Sequence, residues 1–159
     1  MAGMADNKYA KYEKYRPLVE SIQLFDGIEF KNCIKILGMG LQTKIRIGDV
    51  IFHKGEAGHE MFVILKGRVE IVDEGAGGDR TLAVLGPGET FGEMAFFEKM
   101  ERSAKAVAMD DTILLALDEE KIERLLTKSV AIKLLFNLAR MLSHRLRETN
   151  LLLARAKGH

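Results

Sequence analysis

The hydrophobic pattern of the chain changes period twice, and no other feature limits its possible folds as much. As far as Leu37, and again after Asp118, apolar residues recur at the spacing of a helix face. From Gln42 to Leu117 they alternate or run together in short stretches cut by turns. The stretches are Lys44-Ile45-Arg46-Ile47, Val50 to His53, Met61 to Lys66, Arg68 to Asp73 (with Val69 and Ile71 on one face), Thr81 to Leu85, Ala104 to Ala108 and Thr112 to Leu117. Between them lie Gly48-Asp49, Gly55 to His59, Gly67, Glu74 to Asp79, Gly86-Pro87-Gly88 and Asp110-Asp111. This spacing predicts a mainly β fold with flanking helices, a β-roll or jelly-roll barrel of about eight strands. An N-terminal helical segment precedes it, and one short and one long C-terminal helix follow. Thr81 to Leu85 does not alternate, because Leu82, Ala83, Val84 and Leu85 are all apolar. It is therefore expected to be dry on both sides, with one face on the core and the other on something else.

Pro17 opens a helical turn over Leu18 to Ile22, and Asp26-Gly27 turns the chain. Ile28 to Leu37 then has helical spacing, with Ile28, Cys33, Ile36 and Leu37 as core candidates. The segment from Lys8 to Tyr15 repeats every three residues, and Tyr9, Tyr12 and Tyr15 either dock as a stripe or belong to a solvated tail. After the strands, Asp118 is an N-cap for a short helix Glu119 to Leu126, with Glu119 and Glu120 in its first turn. Val130 to Ala156 reads as one long helix with an apolar stripe of Leu135, Leu138, Leu142, Leu146 and Leu153. Thr149 falls inside that stripe. A ligand, another chain or the helix's own carbonyl at 145 can partner its hydroxyl, and the carbonyl is the simplest choice on pattern alone.

At 159 residues the chain is one domain with room for a single core, and 47% hydrophobic with 30% charged residues is a globular composition. A net charge of +1 gives no general pull towards nucleic acid or membrane. The single cysteine, Cys33, excludes an internal disulfide and a cysteine metal site, which suits a cytoplasmic setting, and it reads as a small buried hydrophobe. Ile113 to Leu117, an apolar run as long as any in the chain, is too short to cross a bilayer, and the N-terminus has no signal-peptide core.

The stretch Phe91 to Ala104 carries the chemistry. Gly92 lets the backbone approach a ligand, and the residues after it are suited to a helical turn whose first N–H groups lack partners. Arg102 lies nine positions beyond Glu93. Free N–H groups under a guanidinium form a site for one small phosphate. A carboxylate beside a phosphate is repelled unless it accepts a hydroxyl of the same ligand. A phosphate next to a ribose hydroxyl describes a nucleotide.

These residues resemble the cyclic nucleotide-binding domain of bacterial catabolite activators, kinase regulatory subunits and some ion channels. The resemblance runs from about Ile22 to Leu152. It rests on Gly92-Glu93-Met94-Ala95 with Arg102-Ser103-Ala104, on the turns Gly48-Asp49, Gly55-Glu56, Gly67 and Gly86-Pro87-Gly88-Glu89, and on Arg145-Leu146-Arg147-Glu148-Thr149-Asn150. It implies three parts: an N-terminal segment 1–21, a cyclic nucleotide-binding domain 22–152 and a tail 153–159. It also implies roles. Glu93 would accept the ribose 2′-hydroxyl, Arg102 would pair with the phosphate, and the N–H groups near Gly92, Met94 and Ala95 would cradle it. Ser103 would add a hydroxyl, Leu82 and Ala83 would line the base pocket, and Thr149 and Asn150 would close over the base with Arg145 nearby. Phe96 departs from the leucine usual in the family. The chain also stops soon after the long helix, where the bacterial regulators continue into a helix-turn-helix. The expectation is thus a free-standing regulatory module for cAMP ahead of cGMP, with Ser103 compatible with either. It would use no cofactor and signal through its long helix to a second copy or an effector protein.

Other readings fit less well. His59 and Glu60 suggest half of a cupin metal motif, but His53 is followed by Lys54 and Gly55 instead of a second histidine. No serine has a histidine placed to activate it, since His144 beside Ser143 on a helix points elsewhere, so no enzyme is expected. Arg140, Arg145, Arg147, Arg155 and Lys157 make the last helix basic, but no recognition helix follows and DNA binding is not expected. An interaction module that has kept the fold and lost its ligand is the remaining alternative. Glu93 and Arg102 argue against it.

Overall fold

The computed structural model describes residues 8–158. A 3-10 turn (Ala10–Tyr15), helix α1 (Arg16–Ser21), a second 3-10 turn (Gln23–Phe25) and helix α2 (Phe30–Met39) come first. The strands are β1 (Leu41–Ile45), β2 (Val50–Phe52), β3 (Glu60–Lys66), β4 (Val69–Gly75), β5 (Gly78–Leu85) and β6 (Thr90–Phe91). Helix α3 (Glu93–Glu98) separates them from β7 (Lys105–Ala108) and β8 (Thr112–Asp118), and α4 (Glu119–Leu125) and α5 (Lys128–Lys157) close the chain. All pairing is antiparallel, in two four-stranded sheets ordered β1-β8-β3-β6 and β2-β7-β4-β5. The two sheets form a β-roll, as the glycine-punctuated pattern predicts, and not a closed barrel.

Two cores result, because the first sheet is covered on both faces. Ile64 of β3 and Leu114 of β8 face the second sheet, meeting Phe52, Val69, Leu85 and Ala106. Met61, Val63, Leu115 and Leu117 point the other way, into the helices, against Ile22, Leu24, Ile36, Leu134 and Leu138. The strand that is dry on both sides is therefore β8, the unbroken run Ile113 to Leu117, and not Thr81–Leu85. β5 lies at the edge of its sheet, with Leu82 51% and Val84 49% exposed. An edge strand packs its inner face on the core and leaves the other face to whatever lies outside the sheet. Its hairpin with β4 is also tighter than predicted: the strands pair as far as Gly75 and Gly78, leaving a two-residue turn.

The N-terminal repeat is explained by the tighter helix. In a 3-10 turn, residues three apart eclipse one another, so Tyr9, Tyr12 and Tyr15 line up as tilted rings with 6.4 Å between successive centroids. Tyr9 and Tyr12 rest on the helical core, which favours the docked stripe. Cys33 is buried there as expected, and burial pushes its thiol up to about 11.

Asp118 caps α4 by accepting from the Lys121 N–H, and Thr127 caps α5 by accepting from Val130. The buried face of α5 is Val130, Leu134, Asn137, Leu138 and Met141. Of the predicted stripe, Leu138 is buried and Leu142 half-buried, while Leu135, Leu146 and Leu153 are exposed. The face that docks ends at Met141 and Leu142, and Leu146 and Leu153 lie past the edge of the domain's own core. Within that face Asn137 donates to the carbonyls of Leu24 (2.9 Å) and Asp26 (2.8 Å), fastening the N-terminal segment to α5. Asn137→Ala is expected to strand these acceptors and lower stability by about 1–3 kcal/mol, measured by urea unfolding. An unchanged midpoint would mean that water replaces the amide at no cost.

Candidate functional site

β6 delivers the cassette. Phe91 pairs with Phe62 of β3, and Gly92 then turns into the left-handed region at φ 77° to start α3 at Glu93. A side chain would be strained in that conformation, and its Cβ would lie 2.8 Å from Arg102 Nη1. Glycine is required here on both grounds. The helix holds Glu93, Ala95 and Phe96 inward, and Phe96, where leucine was expected, fills the helical core and meets Phe97 edge-on at 5.2 Å.

Glu93 is only 8% exposed. Its Oε1 accepts from Arg145 Nη1 of α5 at 3.1 Å, while Oε2 is buried with no hydrogen-bond partner among the described residues. The other arm of Arg145 donates to the Thr90 carbonyl, so one arginine ties the long helix to both the cassette and the strand before it.

Arg102 is held by its backbone first. Its N–H donates to Glu56 O and its carbonyl accepts from the Gly55 N–H, both at 2.8 Å, beside a bridge between Ala57 and Glu101. The side chain is 6% exposed, and Nη1 donates to the carbonyls of Glu60 (2.8 Å) and Gly92 (3.1 Å). Burial lowers its pKa from the usual arginine value, with Glu60 and Glu56 drawing it back from a distance. Among the described residues no carboxylate forms an ion pair with it. Arg102 is thus a buried cation whose bonds go to neutral acceptors, and Glu93 Oε2 is a buried acceptor that lacks a donor.

Both residues line one cavity of about 560 Å³, within the range of small-molecule sites. Gly92 to Ala95 and Arg102-Ser103 form one wall, Leu82 and Ala83 of β5 another, and Arg145 and Thr149 of α5 a third. Ser103 Oγ lies 3.6 Å from Met94 Sδ. Asn150 does not line this cavity, and the Thr149 hydroxyl donates to the Arg145 carbonyl at 2.9 Å, the partner that the helix pattern alone favoured. A second cleft of about 800 Å³ continues between β5 and α5 past Leu82, Ala83, Arg145 and Thr149. Three contributors were not singled out in the sequence. Glu60, considered there only as a metal ligand, acts through its carbonyl. Thr90 offers its carbonyl, and Phe52 lies under Arg102 with 4.3 Å from the guanidinium carbon to the ring centre. A carbonyl contribution leaves no trace in residue identity, whereas Phe52 was visible as a large aromatic at the end of a strand. Among the described residues no group of three or more His, Cys, Asp or Glu side chains is placed to hold a metal ion.

Two facing sheets, a short helix entered through a left-handed glycine and a long helix tied across it define a regulatory domain of the cyclic nucleotide-binding class. The family model for the cyclic nucleotide-binding domain matches residues 42–129, and the chain belongs to that family. A relative in Thermus thermophilus, the cyclic AMP receptor protein, is 44% identical over 105 residues, which are 65% of this chain and 48% of the relative. The crystal structure of the Thermus thermophilus catabolite activator protein superposes with a TM-score of 0.75 at 38% identity, covering 83% of this chain and 62% of that one. A cyclic nucleotide-binding domain from Methylobacillus flagellatus gives a TM-score of 0.75 at 26% identity, covering 88% of this chain and 81% of that one. The chain spans about half the length of the first sequence relatives it matches, 48% and 56% of theirs.

Arg145 is the one residue beyond Met141 shown here tying α5 to the cassette. Arg145→Ala should free that part of the helix by about 1 kcal/mol, since the arginine is partly exposed. Hydrogen exchange of residues 142–152 should then run roughly fivefold faster. Unchanged exchange would show that the tie contributes nothing to the helix's position.

Proposed function

We propose that this protein binds a cyclic nucleoside monophosphate in the cavity between α3, β5 and α5, and that α5 carries the signal. The carrying observation is that one cavity is lined by Arg102, a buried cation with no ion-paired carboxylate among the described residues, and by Glu93, whose buried Oε2 has no donor. A ligand that fits both must bring an anion and a hydrogen-bond donor on one small frame. A cyclic phosphate fused to a ribose does so. In this reading Arg102 exchanges neutral carbonyls for phosphate oxygens, which are stronger acceptors, and the first N–H groups of α3 join it. Glu93 takes the 2′-hydroxyl on Oε2 and keeps Arg145 on Oε1. Ser103 adds a hydroxyl, Leu82 and Ala83 meet the base, and Thr149 and Asn150 close over it.

We favour cAMP over cGMP. The Thermus thermophilus relative is named a cyclic AMP receptor protein, and a 29% identical Mycobacterium tuberculosis relative is named a cAMP-activated regulator. Relatives at 31% identity include a cGMP-dependent kinase, so the preference concerns the base pocket and not the fold. The role is regulatory, with no cofactor and no catalytic step, and the setting we propose is the cytoplasm. No helix of the described residues is long and apolar enough to cross a membrane. Residues 22–152 are the proposed working unit. α5 is already tied to the cassette through Arg145, so the proposed response is a tightening of this contact and not a long swing. It shifts the equilibrium only by the ligand's difference in affinity for the two states. The exposed Leu146, Leu151, Leu152 and Leu153 would pass the change to a second copy or an effector protein.

Calorimetric titration with cAMP, cGMP and 5′-AMP tests the reading. cAMP should bind, cGMP more weakly, and 5′-AMP least. Heat from none of them would leave the fold as a protein-interaction module. Arg102→Ala is expected to cost about 2–5 kcal/mol of cAMP binding by removing the phosphate's partner. Arg102→Lys should recover little, because a point charge cannot copy a two-pronged donor. Parental affinity in Arg102→Ala would move the site elsewhere.

A further inference from the structure

The surroundings of Arg102 contain more than a ligand contact requires. Phe52 of β2 brings its ring to 4.3 Å from the guanidinium carbon, and Phe62 of β3 stands at 5.5 Å. The two rings belong to opposite sheets and meet each other and Phe91, with centroids 6.0, 5.9 and 5.2 Å apart. The arginine therefore caps an aromatic cluster that joins the two layers of the roll. On the loop before β3, Gly58 comes so close that a Cβ would overlap Nε and Cζ of Arg102. Beyond that loop a second opening of about 530 Å³ leads outward past Lys54, Ala57 and Lys99. Arg102 lines both openings.

We propose that Phe52 is a positioning residue for anion capture, holding the Arg102 guanidinium flat on its ring and keeping it out of the outer opening. The inference rests on the nucleotide reading for its consequence but not for its geometry. A cation over an aromatic face is attracted by the ring quadrupole, most strongly where water is excluded. Two carbonyls and a ring face stand in for the missing counter-ion. They fix the side chain without neutralising it, so its charge stays available to a phosphate. Without the ring face the guanidinium divides its time between the two openings. The apparent affinity then falls in proportion to the fraction still facing the cavity.

The test replaces Phe52 with a graded series of ring-fluorinated phenylalanines, which keep its shape while weakening the ring face, and compares Phe52→Leu with Phe52→Tyr. Nε–H NMR of Arg102 before any ligand is added reads the geometry. The parent should show the upfield ring-current shift of a stacked guanidinium, lost in Phe52→Leu and kept in Phe52→Tyr. Calorimetry with cAMP reads the consequence. Affinity should fall stepwise along the fluorinated series, to about 2- to 30-fold below the parent, and Phe52→Tyr should stay near the parent. A parent that shows the ring-current shift but binds no cyclic nucleotide would sink the nucleotide reading and leave the positioning role standing. Affinity that is flat across the series, or tighter as the ring weakens, would overturn the proposal. In the second case the stack would be restraining the arginine from the phosphate.

Discussion

Arg102 carries its charge into a place that is 6% exposed, and its hydrogen bonds there go to carbonyls instead of a carboxylate. Isolated charges are expensive to bury, so much of the surrounding structure serves to make this one tolerable. The residue's backbone is pinned on both sides to the Gly55–Glu56 turn. Its Nη1 joins the start of β3 to the entrance of α3, through Glu60 and Gly92. Two glycines, at 58 and 92, supply the space that a Cβ would take from the side chain. These features come from separate parts of the chain and converge on a single guanidinium. The turns, the left-handed entry to α3 and the aromatic cluster between the sheets all follow from keeping it inside.

Glu93 is handled in the opposite way. Its charge is compensated by Arg145, but only at one oxygen. The cation of the site is bonded to neutral acceptors, and the anion of the site already has a cation, supplied by α5. A group that binds Oε2 therefore acts on a carboxylate whose position is shared with α5. The same helix is fastened lower down by Leu134, Leu138 and Asn137, which reach the N-terminal turns. α5 thus has a root in the helical core and a separate tie to the cassette through Arg145.

The cassette was legible in the sequence because its demands fall on residue types: only glycine takes the turn, and only a carboxylate and a guanidinium have the right charges. All but Asn150 of the eleven residues singled out line one cavity. The fold was legible as a change of period, and what was misread concerns which side of an element is covered. Leu82–Leu85 and Ile113–Leu117 are both unbroken apolar runs, and composition cannot say that β5 is an edge strand and β8 an inner one. Sheet order decides that, and pairing across long separations sets sheet order. The α5 stripe failed for a related reason. Helical spacing identifies a face, but Leu146 and Leu153 lie beyond the body the face would rest on. The tyrosine repeat was legible as a period of three, and the choice between docked stripe and solvated tail needed the core that Tyr9 and Tyr12 rest on. Arg145 sits in a run of basic residues, and nothing in that run distinguishes the one that turns inward.

Thr149 shows how the two readings of one residue can both stand. Its hydroxyl donates to the carbonyl of Arg145, the local bond that a threonine in a helix makes by default. It nevertheless lines the cavity, one turn beyond the arginine that holds Glu93. A hydroxyl satisfied within its own helix needs no partner from another element. It can also rotate towards a new acceptor at the expense of one weak bond, because the helix carbonyl it leaves keeps its backbone partner. A residue fixed to a distant element could not do this without moving that element. The α5 wall of the cavity thus sets a self-satisfied hydroxyl, Thr149, beside an arginine tied across to the cassette, while the α3 wall is made of glycines, rings and pinned backbone.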